Sequence, residues 1–384
     1  MIYLIFISIL CTQSWFNHSE LNWHTFETDH FIIHHHDETE RSAYEAANIA
    51  ENIYFQVTSY YEFEPHSKTH IIIKDVNDYA NGAAYFFDNK IEISALPLDF
   101  RLRGSHNWLQ NVITHEFTHI IQIGASMKAS IRLPLAFIQI MGYEQEKRKD
   151  VLYGYPNKII SYPIPNVSVP PWLAEGAAQF MYPGATNDFW DTNRDMILRD
   201  RTINNNLLSF SQMNNFGNKG MGNESVYSQG FAFCNYLVDR FGNDILPSIS
   251  NGLSNPINYS INRVFKKATG ISGDKLFIDW KLSIDEKYYN FSNRISEDII
   301  KGKIIESDGD VNILPSWSPN GKAFAFLSNR GNESFFKTDL YIYQFKDSTT
   351  TLISKGVKTA VTWQDDFTLI YSKLSKPNAK GSLY

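Results

Sequence analysis

The segment from Thr114 to His119, read as THEFTH, contains the residue types that bind and use a divalent metal. His115 and His119 are four residues apart, so on a helix both imidazoles lie on one face and can share one zinc ion. Glu116 projects toward the open side of that metal, where it can take a proton from a zinc-bound water and pass it to a leaving amine. The spacing predicts a zinc site with Glu116 as general base. The structural alternative is two core histidines beside a glutamate.

A catalytic zinc needs three protein ligands and one open position, so one more ligand is expected. The metzincin pattern requires a glycine and then a histidine after His119, but those positions hold Gln122 and Ala125, and no histidine follows His119. The remaining route is a carboxylate from a second helix. Glu175 falls in the first turn of a helix that follows two prolines, and burial among its small apolar neighbours is costly unless it coordinates or pairs. We predict Glu175 as the third ligand; the alternative is a glutamate stabilised by the helix dipole.

The elements that must position these residues follow an α+β order. Strands are predicted over residues 29–36, 69–74 and 90–94, with one helix over 40–60. Helical periodicity then dominates, at roughly 106–124, 128–142, 172–182, 190–201, 225–241, 256–268 and 273–291. A small sheet followed by helices is typical of an α+β domain.

From about residue 299 the pattern changes to short alternating strands with an internal repeat. Trp317 and Trp363 are 46 residues apart, and each precedes a strand, a loop and a Leu-Tyr pair. This period is typical of β-propeller blades, of which about one and a half are present. Because a propeller needs several blades to close its ring, we expect the sequence to be part of a longer protein.

Several of these motifs together resemble the peptidase-MA-like gluzincins of bacterial envelopes. The matching segments are Trp23–Glu27 with His30-Phe31, Ala50–Tyr54, Asn81-Gly82, His115–His119, Trp172–Gly176 and Tyr227–Gly230. The later segments PSWSPNG, FAFLSNRG and DLYIY resemble a TolB-type β-propeller. The resemblance implies an α+β zincin-like metallopeptidase domain, with a small N-terminal sheet and then mainly helices, followed by incomplete all-β propeller blades. It also implies His115, His119 and Glu175 as zinc ligands and Glu116 as general base.

Two further features bear on the reaction. Tyr227, near the start of the predicted helix 225–241, is our candidate to stabilise the oxyanion; the alternative is a core aromatic. Zinc aminopeptidases of this class carry a carboxylate that grips the free amine of the substrate, but residues 81–86 contain none. An endopeptidase is therefore favoured, and Lys90–Ser94 is the predicted sheet edge on which a peptide adds as a strand.

Composition and the N-terminus indicate the compartment and the partners. A net charge of −6 without a basic run argues against nucleic-acid binding. The apolar run Ile2–Leu10 is too short to span a bilayer and fits a secretory signal, but no Lys or Arg precedes Arg41. The alternatives are a buried strand or a misplaced start codon. We expect a signal peptide at 1–16, a metallopeptidase domain at 17–295 and a partial propeller at 296–384.

The sequence thus predicts an exported bacterial zinc peptidase, periplasmic or otherwise associated with the envelope. Its expected partners are a peptide or protein substrate and, through the propeller, other proteins. The alternative is a non-catalytic envelope scaffold whose propeller binds protein partners.

Overall fold

The computed structural model describes residues 18–76, 81–97, 107–130, 133–143, 156–182, 192–217, 220–296, 299–332, 337–374 and 381–383. They divide into two compact units, the first ending at Arg294 and the second beginning at Ile295. The signal peptide predicted at 1–16 lies outside the described residues. Within the ranges given, no helix is both long enough and apolar enough to cross a bilayer.

The first unit begins with a five-stranded mixed sheet in the order β1-β2-β3-β5-β4. Its strands are β1 (Trp23–Glu27), β2 (Phe31–His36), β3 (Thr69–Lys74), β4 (Gly82–Tyr85) and β5 (Lys90–Ser94). The central pairs β2-β3 and β3-β5 are parallel, and the outer strands are antiparallel to their neighbours. Alternate isoleucines of β3 and β5 are fully buried, so one face of the sheet forms a core with helices α1 (Glu40–Tyr61) and α2 (Trp108–Ala125).

The rest of the first unit is a helical region with its own aromatic core. Its helices are α3 (Pro171–Phe180), α4 (Thr192–Ile203), α5 (Gly220–Phe241), α6 (Ile245–Ser254), α7 (Ile261–Thr269) and α8 (Gly273–Ser296). Trp172, Phe233, Phe265 and Trp280 are each at most 1% exposed and pack against one another through their rings. Helix α6 was not predicted.

A β-hairpin interrupts the helices where we predicted a helix over 128–142. Strands β6 (Leu135–Tyr143) and β7 (Pro156–Pro165) pair antiparallel with each other. The helical prediction is wrong because a short apolar run has no periodicity that separates helix from strand. Pairing with β7, the next strand along the chain, decided the outcome.

The second unit contains a four-stranded antiparallel sheet in the order β11-β10-β9-β8. Its strands are β8 (Asn312–Trp317), β9 (Ala323–Ser328), β10 (Asp339–Gln344) and β11 (Thr349–Ser354). The short strands β12 (Thr362–Trp363) and β13 (Leu369–Ile370) form a separate pair, as do β14 (Ser372–Leu374) and β15 (Gly381–Leu383).

The predicted fold class, an α+β zincin-like domain followed by propeller blades, is wrong. The described strands form several small separate sheets, and none of these is closed or arranged as a propeller. Strands and helices are interleaved in a mixed α/β arrangement that includes parallel pairs and an inserted hairpin. The 46-residue repeat misled because Trp363 lies in a two-residue strand that does not extend the four-stranded sheet. Similar turn motifs specify turns, whereas strand partners are chosen by contacts between distant segments.

Candidate metal centre

Helix α2 holds the THEFTH segment rigidly in the interior of the first unit. Asn107 caps its start by accepting a hydrogen bond from the backbone N–H of Gln110, at 3.3 Å. The hydroxyls of Thr114 and Thr118 donate to the carbonyls four residues earlier, both at 2.7 Å, so these polar side chains are satisfied within the helix. Every side chain from Asn111 to Ile123 is buried, which fixes the helix between the sheet and the later helices.

His115, His119 and Glu175 converge at one point. The imidazole rings of the two histidines are 4.7 Å apart and nearly perpendicular. Oε2 of Glu175 lies 2.9 Å from Nε2 of His115 and 3.4 Å from Nε2 of His119. Among the residues that the structure describes, this is the group of His, Cys, Asp or Glu side chains whose ligand atoms all lie within 4.8 Å of one another.

This arrangement can hold a metal ion. Ligands bound at about 2.0–2.1 Å around a tetrahedral ion are separated by about 3.3 Å, which both measured distances approach. Two imidazoles and one carboxylate form a donor set suited to a divalent ion with one open position. The group is buried, since each of the three residues is at most 9% exposed. A bound ion would therefore be covered by protein on the side of its three ligands.

Helix α3 brings Glu175 to the two histidines through an unusually close contact with α5. It begins at Pro171, directly after Pro170, and its Trp172 is completely buried. A Cβ added to Gly176 would lie 2.4 Å from the backbone carbonyl carbon of Gly230 on α5. The two glycines therefore let the helices cross at backbone distance, which sets the depth at which Glu175 projects.

The charges of the three groups are strongly linked. Burial by itself raises the pKa of Glu175, but the charge of His119 and hydrogen bonds from both histidines outweigh it and hold that pKa well below its usual range. Burial lowers the pKa of His119, and the Glu175 carboxylate more than offsets this and raises it above its ordinary value. The carboxylate is thus kept negative at the histidine pair, where a cation would be stabilised.

Glu116 lies beside this group without belonging to it. It is 7% exposed, and its carboxylate accepts a hydrogen bond from the backbone N–H of Ala84 on strand β4. Burial raises the pKa of Glu116, and the two neighbouring histidines offset only part of that rise. Strand β4 also touches Glu116 at Gly82, where an added Cβ would lie 2.7 Å from Oε1.

Two tyrosines face His115. The ring of Tyr227 on α5 is 6.1 Å from the His115 ring and nearly parallel to it, and the ring of Tyr182 is 6.3 Å away and tilted. The structure places the ring of Tyr227 beside His115, and its role in stabilising the oxyanion stays a prediction. Sequence reasoning missed Tyr182. The available signal was the predicted helix 172–182, in which Tyr182 would follow Glu175 by two turns; in the structure α3 ends at Phe180 and Tyr182 lies just beyond it.

These residues line an open cleft of about 380 Å³. Its polar side chains include Asn111, Gln179 and Arg194, and its apolar wall includes Trp108 and Phe216. None of these five residues was predicted.

The sheet edge at this cleft is not the one predicted. Strand β5 (Lys90–Ser94) lies between β3 and β4, so both of its edges are already paired. The outer strand is β4, whose residues Gly82, Ala83 and Ala84 line the cleft. The sequence did not predict this order, because β4 has four residues and no clear alternation of apolar and polar side chains that would mark it as a strand.

Comparisons with known proteins do not identify the chain: no family model matches it, and no curated protein matches it significantly. The resemblance to gluzincins therefore rests on the motifs alone.

Proposed function

We propose that the protein is a zinc-dependent peptidase that cleaves within peptide chains. The observation that carries the proposal is the convergence of His115, His119 and Glu175, with Glu116 held beside them but outside the ligand group. A structural zinc site usually has four closed ligands, often cysteines. Here three potential ligands lie at an open cleft, which is the arrangement that leaves room for a substrate.

In this proposal each side chain has a defined task. His115, His119 and Glu175 hold the zinc ion, which when bound polarises the substrate carbonyl and acidifies water. Glu116 accepts a proton from the attacking water and delivers it to the leaving amine nitrogen as the peptide bond breaks. Burial raises the pKa of Glu116 toward neutral pH, and this suits a group that must both take and give a proton. In this proposal the hydroxyl of Tyr227 or Tyr182, whose rings lie on the His115 side, would donate to the developing oxyanion.

The edge strand supports a peptide substrate. Because β4 pairs only with β5 among the described strands, an extended peptide can add along its outer edge as a further strand in the cleft. The backbone N–H of Ala84 is not available to such a peptide, because it donates to Glu116. The lining residues Asn81–Ala84 offer no carboxylate to grip a free amino terminus, which favours cleavage within a chain.

The decisive test is Glu116→Gln, which keeps the size of the side chain but removes its basicity. We expect the variant to fold and to bind zinc normally, while hydrolysis of a cleaved peptide from a library falls by about 10²-fold or more. The matched control is Glu45→Gln on the exposed face of α1, which should leave the rate unchanged.

Equal rates for the wild type and Glu116→Gln, with zinc present in both, would exclude this mechanism. No hydrolysis of any library peptide by the wild type would instead favour a non-catalytic envelope scaffold.

The proposal also places the enzyme outside the bacterial cytoplasm because of the run Ile2–Leu10. Cell fractionation tests that part separately.

A further inference from the structure

The hairpin of β6 and β7 exposes an unusually large apolar surface. Its described residues include ten large apolar side chains that are each 39–70% exposed: Leu133, Leu135, Phe137, Ile138, Ile140, Met141, Tyr143, Ile159, Ile160 and Tyr162. At roughly 100 Å² each this amounts to on the order of 1,000 Å², beyond the few hundred Å² of apolar patch that monomers usually expose.

Both faces of the hairpin are apolar. Opposed residues of an antiparallel pair share a face, so Phe137, Met141 and Ile159 lie on one face, and Ile138, Ile140 and Ile160 on the other. The described part of the two strands carries one charged side chain, Lys158, at an end of the ladder. A partner stacked on one face would contact only that face, whereas a strand added at an edge brings side chains of both faces into lateral contact with its own.

The two edges of the hairpin differ in their ability to pair. Strand β7 contains three prolines, Pro156, Pro163 and Pro165, which cannot donate to a neighbouring strand, whereas β6 contains none. Among the described strands, β6 pairs only with β7, so its outer edge is open. The chain therefore protects one edge of the hairpin and leaves the other able to accept a strand.

The prolines also show which backbone groups of β6 point outward. Pro163 lies opposite Phe137 and Pro165 opposite Leu135, and a proline fits only where its nitrogen points away from the partner strand. The backbone N–H of Asn166 donates to the carbonyl of Pro134 at 3.0 Å, consistent with inward hydrogen bonds at the even-numbered positions. The outward groups of β6 are therefore those of its odd-numbered residues, including Gln139 at the centre of the nine-residue strand.

We propose that two copies of this chain pair through the outer edges of β6, forming a four-stranded antiparallel sheet about a two-fold axis at Gln139. In this register Gln139 faces its symmetry mate, and Phe137 of each copy faces Met141 of the other. Because all three are odd-numbered, their outward N–H and C=O groups meet in hydrogen-bonded pairs. The amide of Gln139, whose Nε2 donates to Oγ of Ser161 within the hairpin at 3.5 Å, then lies beside the two-fold axis, where its Oε1 can accept from the amide of the other copy.

Lipid is the rival occupant, since hydrocarbon would cover both apolar faces, which pairing at an edge contacts only from the side. The open edge argues against it, because hydrocarbon leaves the outward N–H and C=O groups of β6 without hydrogen-bond partners. A second copy satisfies those groups.

Sedimentation velocity of the full chain tests the proposal with two matched proline variants. Gln139→Pro removes an outward N–H from β6 and should convert the dimer into a monomer. Ser161→Pro makes the same change at the opposed residue on the already protected edge and should leave the dimer intact. Zinc content and the circular dichroism spectrum of each variant check that the rest of the chain folds.

Disulfide trapping gives a second measurement that does not depend on proline. In a chain with Cys11→Ser, Gln139→Cys should form an intermolecular disulfide on mild oxidation, because hydrogen-bonded residues across a two-fold axis have Cα atoms about 5.5 Å apart. Ser161→Cys, which would lie about 14 Å from its mate at the spacing of neighbouring strands, should not. A monomeric wild type at all concentrations, or a dimer that survives Gln139→Pro, would overturn the proposal. Flotation of a monomeric chain with phosphatidylcholine vesicles would assign the hairpin to lipid instead.

Discussion

At the scale of single residues, Glu175 is the side chain on which metal binding should depend most. It bridges toward both histidines and comes from a different helix, so its removal leaves only two imidazoles on α2. We expect Glu175→Ala to lose most bound zinc by elemental analysis, and Glu45→Ala to retain it. Full zinc occupancy in Glu175→Ala would exclude Glu175 as a ligand.

Metal removal gives a related expectation for the wild type. A ligand that binds only the folded chain stabilises it by mass action, by about 2.7 kcal/mol at a hundredfold excess over its dissociation constant. Treatment with a chelator should therefore lower the melting temperature, and added zinc should restore it. Glu175→Ala should show neither response, which separates loss of the site from a general effect of the chelator.

Gly82 should control the position of Glu116. A methyl group at Gly82 would lie 2.7 Å from Oε1 of Glu116 and 2.4 Å from a methyl of Val112, so β4 or the carboxylate must move. Displacement of a catalytic group by about 1 Å can cost about 10²-fold in rate. We expect Gly82→Ala to lose peptide hydrolysis of that order while keeping its zinc. Gly302→Ala, at a site with nothing within 4 Å, is the matched control.

At the scale of elements, the crossing of α3 and α5 affects both the free energy of unfolding and the position of Glu175. An added methyl at Gly176 would meet the backbone of Gly230 at 2.4 Å and Sγ of Cys234 at 2.9 Å, and backbone cannot yield as a flexible side chain can. Overpacking of this kind typically costs about 1–3 kcal/mol. Gly176→Ala should lower the free energy of unfolding by that amount in a denaturant titration, and should weaken zinc binding because Glu175 moves with its helix. An unfolding curve that coincides with that of Gly302→Ala would show that the crossing tolerates the methyl group.

At the scale of the whole molecule, the two units should be separable. The first unit has its own cores around the sheet and around Trp172, and the second has a small core on its four-stranded sheet. We expect limited proteolysis to cut first between residues 292 and 310, and a shortened chain ending at Asn293 to fold and bind zinc. Mass spectrometry of the fragments locates the cut. Aggregation of the shortened chain, with the full chain soluble, would show that the units depend on each other.

The sequence by itself determined the local part of the candidate site. The spacing of His115 and His119 is a property of one helix, so the pairing of their imidazoles follows from helical geometry and needs no other element. Glu116 could be identified as a candidate general base for the same reason, because its position relative to the two histidines is set by the same helix. Glu175 required a further argument, because no histidine follows His119 and, among the carboxylates that remain, Glu175 was chosen for its place in a helix among small apolar neighbours.

Only the tertiary structure decided what depends on contacts between distant segments. Strand pairing decided that β6 lies beside β7, that β4 is the outer strand and that the described residues form no propeller. Packing of the chain decided that Tyr182 approaches His115. Local periodicity does not encode these choices, because an apolar run satisfies a helix or a strand equally and a turn motif does not name its partner. Burial and backbone hydrogen bonding across the folded chain select among the alternatives that the sequence leaves open.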